Sequence, residues 1–329
     1  MSVQPVNLSP HDEIKRKNKR FAICVSILIV LFTVARMFLT RFFIDPQVHF
    51  YTDSASIYGK YFDYTVAACV IAIYCVSFFL YTQKKDKKKY EEATDCFVQG
   101  TQAQVFSASL TGFLFIASAV FQIYSFINPI ESAVAKNGVL LKDFSFGSER
   151  LLEYIKAYPF DFAIFFVAVL SAVYFFKTAA LNLDIGENIE HYNKGDKKKR
   201  YSSLHIIFSF MPIIWAFLNT FECFFDMSKS VNSPVRIYEL ISFIALAHYF
   251  VSESRMLVGR LETSKFFTFA YIASLITAAS SFPNLIWSSF WILAPHNDLI
   301  IYAVKLALTI YVLTRIYSQI RYSRFKLQP

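Results

Sequence analysis

Six ionisable side chains interrupt otherwise apolar runs of this sequence: Arg36, Asp63, Asp161, Glu222, Glu239 and Lys305. Charge inside hydrocarbon is costly, so such residues usually face a bundle interior or a water-filled cavity, pair with one another and mark ligand or ion pathways. Arg36 falls about 22 Å into the first apolar block, and Lys305 roughly 10 Å down the last one. With the orientation derived below, all six groups share the outer leaflet, on six different helices. Arg36 and Lys305 set against Glu222 and Glu239 would make a polar pocket open to the outside. The competing account is snorkelling of long side chains to the headgroups. It suffices for Asp63, Asp161 and Glu239, and it is weaker for Arg36 and Lys305.

Uncharged polar residues fall into stripes. In the stretch SLITAASSFPNLIWSSF, Ser274, Thr277, Ser281, Asn284 and Ser288 recur every three or four residues and therefore share one helix face. Ser107, Thr111, Ser118, Gln122 and Ser125 form a second such line. Ser209, Pro212, Ala216, Asn219, Glu222, Cys223 and Asp226 form a third. Small hydroxyl residues are ordinary contacts between membrane helices, because they allow close backbone approach; a water-lined path is the alternative. Pro283 removes the donor that the Ala279 carbonyl would use, so it is expected to kink its helix, and Pro212 is the second interior proline. A ligand held within the membrane is expected beside Asn284.

Other chemistry is poorly represented. The sequence holds no Walker A loop, no G-x-G-x-x-G, no H-E-x-x-H and no G-x-S-x-G. It gives no pattern for a metal, a cofactor or a catalytic pair. Asp184, Glu187 and Glu190 come closest to a magnesium-holding set, but they spread over about 120° of a helix beside a lysine run, where solvated charges are ordinary. The five cysteines are odd in number and lack a CxxC pair, so they read as small buried side chains rather than a disulfide frame. His248 lies nine residues from Glu239, on the opposite helix face, and reads as a satisfied core histidine.

The elements that must position these groups are membrane helices. The 329 residues are 55% hydrophobic, and the apolar ones come in unbroken blocks rather than in alternation. Eight blocks are long enough to span, at about 21–42, 62–82, 104–127, 160–181, 205–225, 236–254, 266–292 and 298–319. The first follows the basic run IKRKNKR and reads as a retained signal anchor. Lysine and arginine crowd alternate connections, which puts both termini in the cytoplasm.

The expected fold is therefore an all-α polytopic bundle of about eight spans in the cell membrane. A basic cytoplasmic segment, 1–20, precedes the transmembrane domain, 21–320, and a basic tail, 321–329, follows it. The outer loop 128–159 should hold a short amphipathic helix that Pro159 ends. The net charge of +9 marks topology and attraction to anionic headgroups rather than a nucleic-acid surface. The expected role is a non-enzymatic component, transport-associated or sensory, with a polar outer-leaflet pocket for a small ligand. The alternatives are a scaffold that uses its stripes to meet a protein partner within the membrane, and a membrane enzyme acting on lipid.

Overall fold

Backbone groups inside hydrocarbon must satisfy their own hydrogen bonds, which leaves helices as the building material for apolar runs of this length. A computed structural model describes residues 10–45, 50–52, 56–81, 101–136, 159–187, 202–225, 232–258, 262–291 and 296–322. Its helices are α1 (Pro10–Phe43), α2 (Ser56–Tyr81), α3 (Gln102–Lys136), α4 (Pro159–Glu187), α5 (Ser203–Phe208), α6 (Met211–Phe225), α7 (Pro234–Leu257), α8 (Thr263–Trp291) and α9 (His296–Tyr322). Eight helical stretches are long and apolar enough to cross a bilayer, with α5 and α6 together making the fifth. The chain is an all-α, polytopic helical bundle, and the described residues contain no strand beyond one isolated bridge between Ile44 and Tyr51.

Several helices outrun the apolar blocks. α1 begins at Pro10 and carries the basic run with it, and α3 continues to Lys136. Hydropathy marks the hydrocarbon slab, whereas hydrogen bonding sets where a helix ends. Pro159 opens α4, a first-turn position where its missing N–H costs nothing. The amphipathic helix expected near 148–158 lies outside the described residues.

The fifth span is interrupted rather than kinked. A turn at Ser209–Phe210 separates α5 from α6, and Pro212 is the second residue of α6. Proline cannot donate to the carbonyl four residues back and its ring collides there. The carbonyl so deprived is that of Phe208, and within the same break the Ser209 carbonyl accepts from Ser254 Oγ of α7 at 3.0 Å. By contrast, α8 runs on through Pro283.

Helix packing follows a simple plan. α3 packs on α4, α4 on α6, α6 on α7, α7 on α8, α8 on α9, and α9 returns to α3, closing a ring of six. α1 and α2 lie outside it against α8. That sandwiching makes α8 the most buried of the eight spans and explains its run of Ala, Ser and Thr. Ser77 and Thr268 share a 2.7 Å hydrogen bond across α2–α8, and the Tyr81 and Tyr271 hydroxyls meet at 3.1 Å. Gly112 lets α3 approach α4, since a Cβ there would lie 3.0 Å from the Phe176 ring.

The outward faces are apolar: Phe79, Tyr64, Phe106, Phe113 and Val30 are all well exposed, as suits contact with lipid. Inside the ring, aromatic side chains from five of its helices interlock. Phe115 of α3 meets Phe175 of α4 at 5.4 Å and Trp215 of α6 at 4.9 Å, centroid to centroid. Trp215 meets Phe243 of α7 at 5.6 Å, and Phe175 meets Phe250 of α7 and Tyr311 of α9 at 6.0 and 5.1 Å. Offset and edge-on pairs of this kind add stability beyond burial alone, about 0.5–1.5 kcal/mol each. They form a plug across the middle of the ring. We call the end of the bundle holding the start of α1 and the end of α9 proximal, and the opposite end distal.

Candidate functional site

The distal site is built from the entry of α7. Ser233 caps that helix by accepting from Arg236 N at 3.3 Å, and Pro234 takes its first position. Buried Arg236 then reaches back to the end of α6, donating from Nε to the Cys223 carbonyl at 2.9 Å and from Nη2 to the Phe224 carbonyl. A cation at those orphan carbonyls caps α6 and complements its negative end. The two helices are thereby held so that Glu239, in the second turn of α7, points into the ring.

Around Glu239 the ring supplies polar partners from three other helices. The Tyr302 hydroxyl of α9 donates to Oε1, and Asn284 Nδ2 of α8 lies 3.5 Å from the same oxygen. Cys223 Sγ of α6 lies 3.7 Å from Oε2. One turn along α9, fully buried Lys305 donates to Ser280 Oγ of α8 at 3.0 Å. Its ammonium lies 4.6 Å from the centre of the Phe243 ring and 5.8 Å from that of Tyr302, both within cation–π range. Glu239, Asn284 and Lys305 are therefore gathered on adjacent turns, directly distal to the aromatic plug. Glu222 is half-buried on α6 beside Cys223.

Glu239 is 5% exposed, so it does not snorkel, contrary to the sequence expectation. Its tyrosine and asparagine partners offset the cost of burial that snorkelling would have avoided.

Arg36 belongs to a neighbouring cluster. Its guanidinium lies 3.6 Å above the Tyr238 ring, and its Nη1 lies 3.5 Å from Asp63 Oδ1 of α2. Nη1 also donates to the Tyr51 hydroxyl at 3.1 Å and Nη2 to the Pro234 carbonyl at 3.2 Å. The Tyr51 and Tyr238 hydroxyls in turn donate to Asp63, at 3.2 and 3.0 Å. Asp63 is thus engaged rather than reaching for headgroups. Tyr51 stands outside the spans, held over the start of α2 by Gly59, where a Cβ would come within 2.5 Å of its ring. Burial, ahead of the opposing Arg36 and reinforcing Asp63 charges, pushes the Tyr51 phenol up to about 12. This clasp ties α1, α2 and α7 together outside the ring.

Sequence inspection passed over a second buried charge pair, at the proximal end. Glu253 of α7 accepts from Arg315 Nε and Nη2 of α9 at 3.1 and 2.9 Å, and from the Tyr311 hydroxyl at 2.6 Å. All three bonds go to Oε1, and the buried Tyr249 hydroxyl of the same helix faces the carboxylate as well. The available signal was periodicity. Glu239 and Glu253 are fourteen residues apart, nearly four full turns, so both face the ring from one side of α7.

The same arithmetic explains His248. It lies on the face opposite Glu239, which here means the outside: the ring is exposed against Phe269, with Nδ1 2.8 Å from the Ile244 carbonyl. It is not a core histidine, because the interior face of α7 is already taken by the carboxylates. Asp161 is half-buried near the start of α4. Among the described residues no group of three or more His, Cys, Asp or Glu is arranged to hold a metal. The polar stripes do turn inward: Ser107, Thr111, Ser118 and Gln122 on α3, Asn219 on α6, and Ser274, Thr277 and Ser281 on α8 are buried. Ser280, off the stripe, is the residue that meets Lys305. Comparison with protein-family models, with curated proteins and with solved structures finds no match to this chain.

Proposed function

We propose that the chain is a non-enzymatic, multi-pass component of the cell membrane, transport-associated or sensory, that takes a small polar ligand at the distal cluster. The observation that carries this reading is the convergence of Glu239, Asn284, Tyr302 and Lys305 from α7, α8 and α9 onto the distal side of the plug. A buried carboxylate and a buried ammonium on neighbouring turns favour a ligand carrying both signs of charge, because each group then exchanges its internal partner for one of the ligand's. Lysine and arginine abundance at the proximal connections makes that end cytoplasmic, so the ligand arrives from outside. The plug closes the route beyond it, as an occluded site requires.

Thermal unfolding in nanodiscs, with a panel of small zwitterions and monovalent solutes, tests the reading. One solute class should raise Tm with concentration in the native chain. Lys305→Met and Glu239→Gln should each abolish that rise, while the outward-facing His248→Ala keeps it. A rise that survives both site variants, or no rise with any solute, would refute the proposal. The scaffold alternative draws on the Ser77–Thr268 and Tyr81–Tyr271 bonds, which consume α8 hydroxyl groups in helix packing. A partner copurifying stoichiometrically in mild detergent would favour it.

A further inference from the structure

We infer that the distal end of α8 is a hinged gate over the Glu239 cluster, turning at Pro283 and latched to α1 by Trp287. This gate serves the ligand site proposed above, and so rests on that reading.

The hinge has a covalent origin. Proline has no N–H, so the Ala279 carbonyl loses the donor that would tie it to the next turn. α8 stays helical past this point, with one rung of its ladder missing. Packing changes at the same place. From Ala273 to Ser281 every residue is buried, whereas Asn284, Leu285, Ile286 and Trp287 are half-buried. On the proximal side of the hinge, Thr268, Tyr271 and Ser280 bond to Ser77 and Tyr81 of α2 and Lys305 of α9. A less packed segment beyond a missing rung is the part of a helix that opens at least cost.

The latch lies on α1. Trp287 Nε1 donates to the Met37 carbonyl at 3.0 Å, and the Arg41 guanidinium lies 5.4 Å from the centre of the indole. Arg36, one residue before Met37, holds the entry of α7 through the Pro234 carbonyl and the Tyr238 ring. The distal end of α1 therefore holds α7 and α8 together, beside the point where Asn284 and Glu239 approach to 3.5 Å.

Asn284 follows Pro283 directly, and Trp287 stands about one turn further, so both move with the same tip. Released from Met37, the tip moves away from α7, takes Asn284 from Glu239 and opens the carboxylate to the distal aqueous phase. Closed, it covers a ligand from the distal side while the aromatic plug covers the proximal side. A hinge of this kind confines the change to a few backbone dihedral angles and leaves the packed body still.

Amide hydrogen exchange on the full chain in lipid nanodiscs reads the hinge. Trp287→Phe keeps an aromatic ring and removes the N–H of the latch. It should speed exchange of the amides beyond Pro283 by about fivefold, the weight of one hydrogen bond, and leave those of 266–281 as they were. Pro283→Ala restores the missing donor and should slow the same tip amides by a similar factor; should Trp287→Phe fail to fold, this arm decides alone. Cys223, whose Sγ lies 3.7 Å from Glu239 Oε2, reports on the cluster itself. Its alkylation by a membrane-impermeant maleimide, located by peptide mapping, should quicken in Trp287→Phe and slow in Pro283→Ala. Exchange that changes evenly along α8, or not at all, overturns the gate, as does a Cys223 rate indifferent to both variants. Neither readout uses a ligand, so a Tm that no solute raises would count against the ligand reading alone.

Discussion

Two of the arginine–carboxylate pairs among the described residues, Arg36–Asp63 and Glu253–Arg315, are built on opposite principles. Arg36–Asp63 sits outside the ring, with Asp63 34% exposed, and spreads its bonds over two tyrosine hydroxyls, a main-chain carbonyl and an aromatic face. Glu253–Arg315 sits inside the ring with both side chains buried, and concentrates three donors on one oxygen. The first pair is a well-satisfied clasp for which partial hydration lowers the cost. The second has no hydration to lower its cost, and its guanidinium and phenol donors converge on one carboxylate to offset it.

The largest effect should come from breaking the inner pair on one side only. Arg315→Met leaves a buried unpaired carboxylate and should cost about 3–5 kcal/mol. The double variant Glu253→Leu, Arg315→Met should recover most of it. Thermal unfolding in detergent checks both, and equal losses for single and double variants would erase the contrast drawn here.

A smaller loss, about 1–3 kcal/mol, is expected of Gly59→Ala. The added methyl displaces the Tyr51 ring and loosens the outer clasp while leaving the ring interior untouched. Its Tm should fall in the same thermal-unfolding measurement, and an unchanged Tm would show that the clasp does not depend on the Tyr51 ring.

The smallest effect is a pH dependence of the clasp. Burial pushes the folded-state Tyr51 phenol up to about 12, above its unfolded value of 10.0. Its contribution is therefore fully present below pH 10 and lost as pH climbs from there toward 12. Tyr51→Phe should flatten that alkaline decline in Tm; a decline of equal slope in both proteins would remove Tyr51 as its source.

Much of the architecture was legible in the residues. Blocks of about twenty apolar residues admit little besides spanning helices, and the three-and-four spacing of Ser274, Thr277 and Ser281 marked an inward face before any packing was known. Candidate site residues were legible only as individuals. Glu239, Asn284 and Lys305 could be placed at a common depth, because depth follows from counting residues along a helix. Which charge meets which could not, because that depends on helix neighbours, and Asp63 rather than Glu222 proved to be the carboxylate beside Arg36. His248 shows the same limit: its angle from Glu239 was calculable, but whether that face met protein or lipid was not.

The sequence by itself determined an all-helical, eight-span chain with polar seams, since hydrocarbon imposes length and hydropathy on every span separately. Only the tertiary structure decided that six spans close into a ring, that aromatic side chains from five of its helices plug it, and that α7 carries a carboxylate on either side of the plug. Those facts arise between helices, where side chains distant in the chain become neighbours, and spacing along one helix carries no record of them.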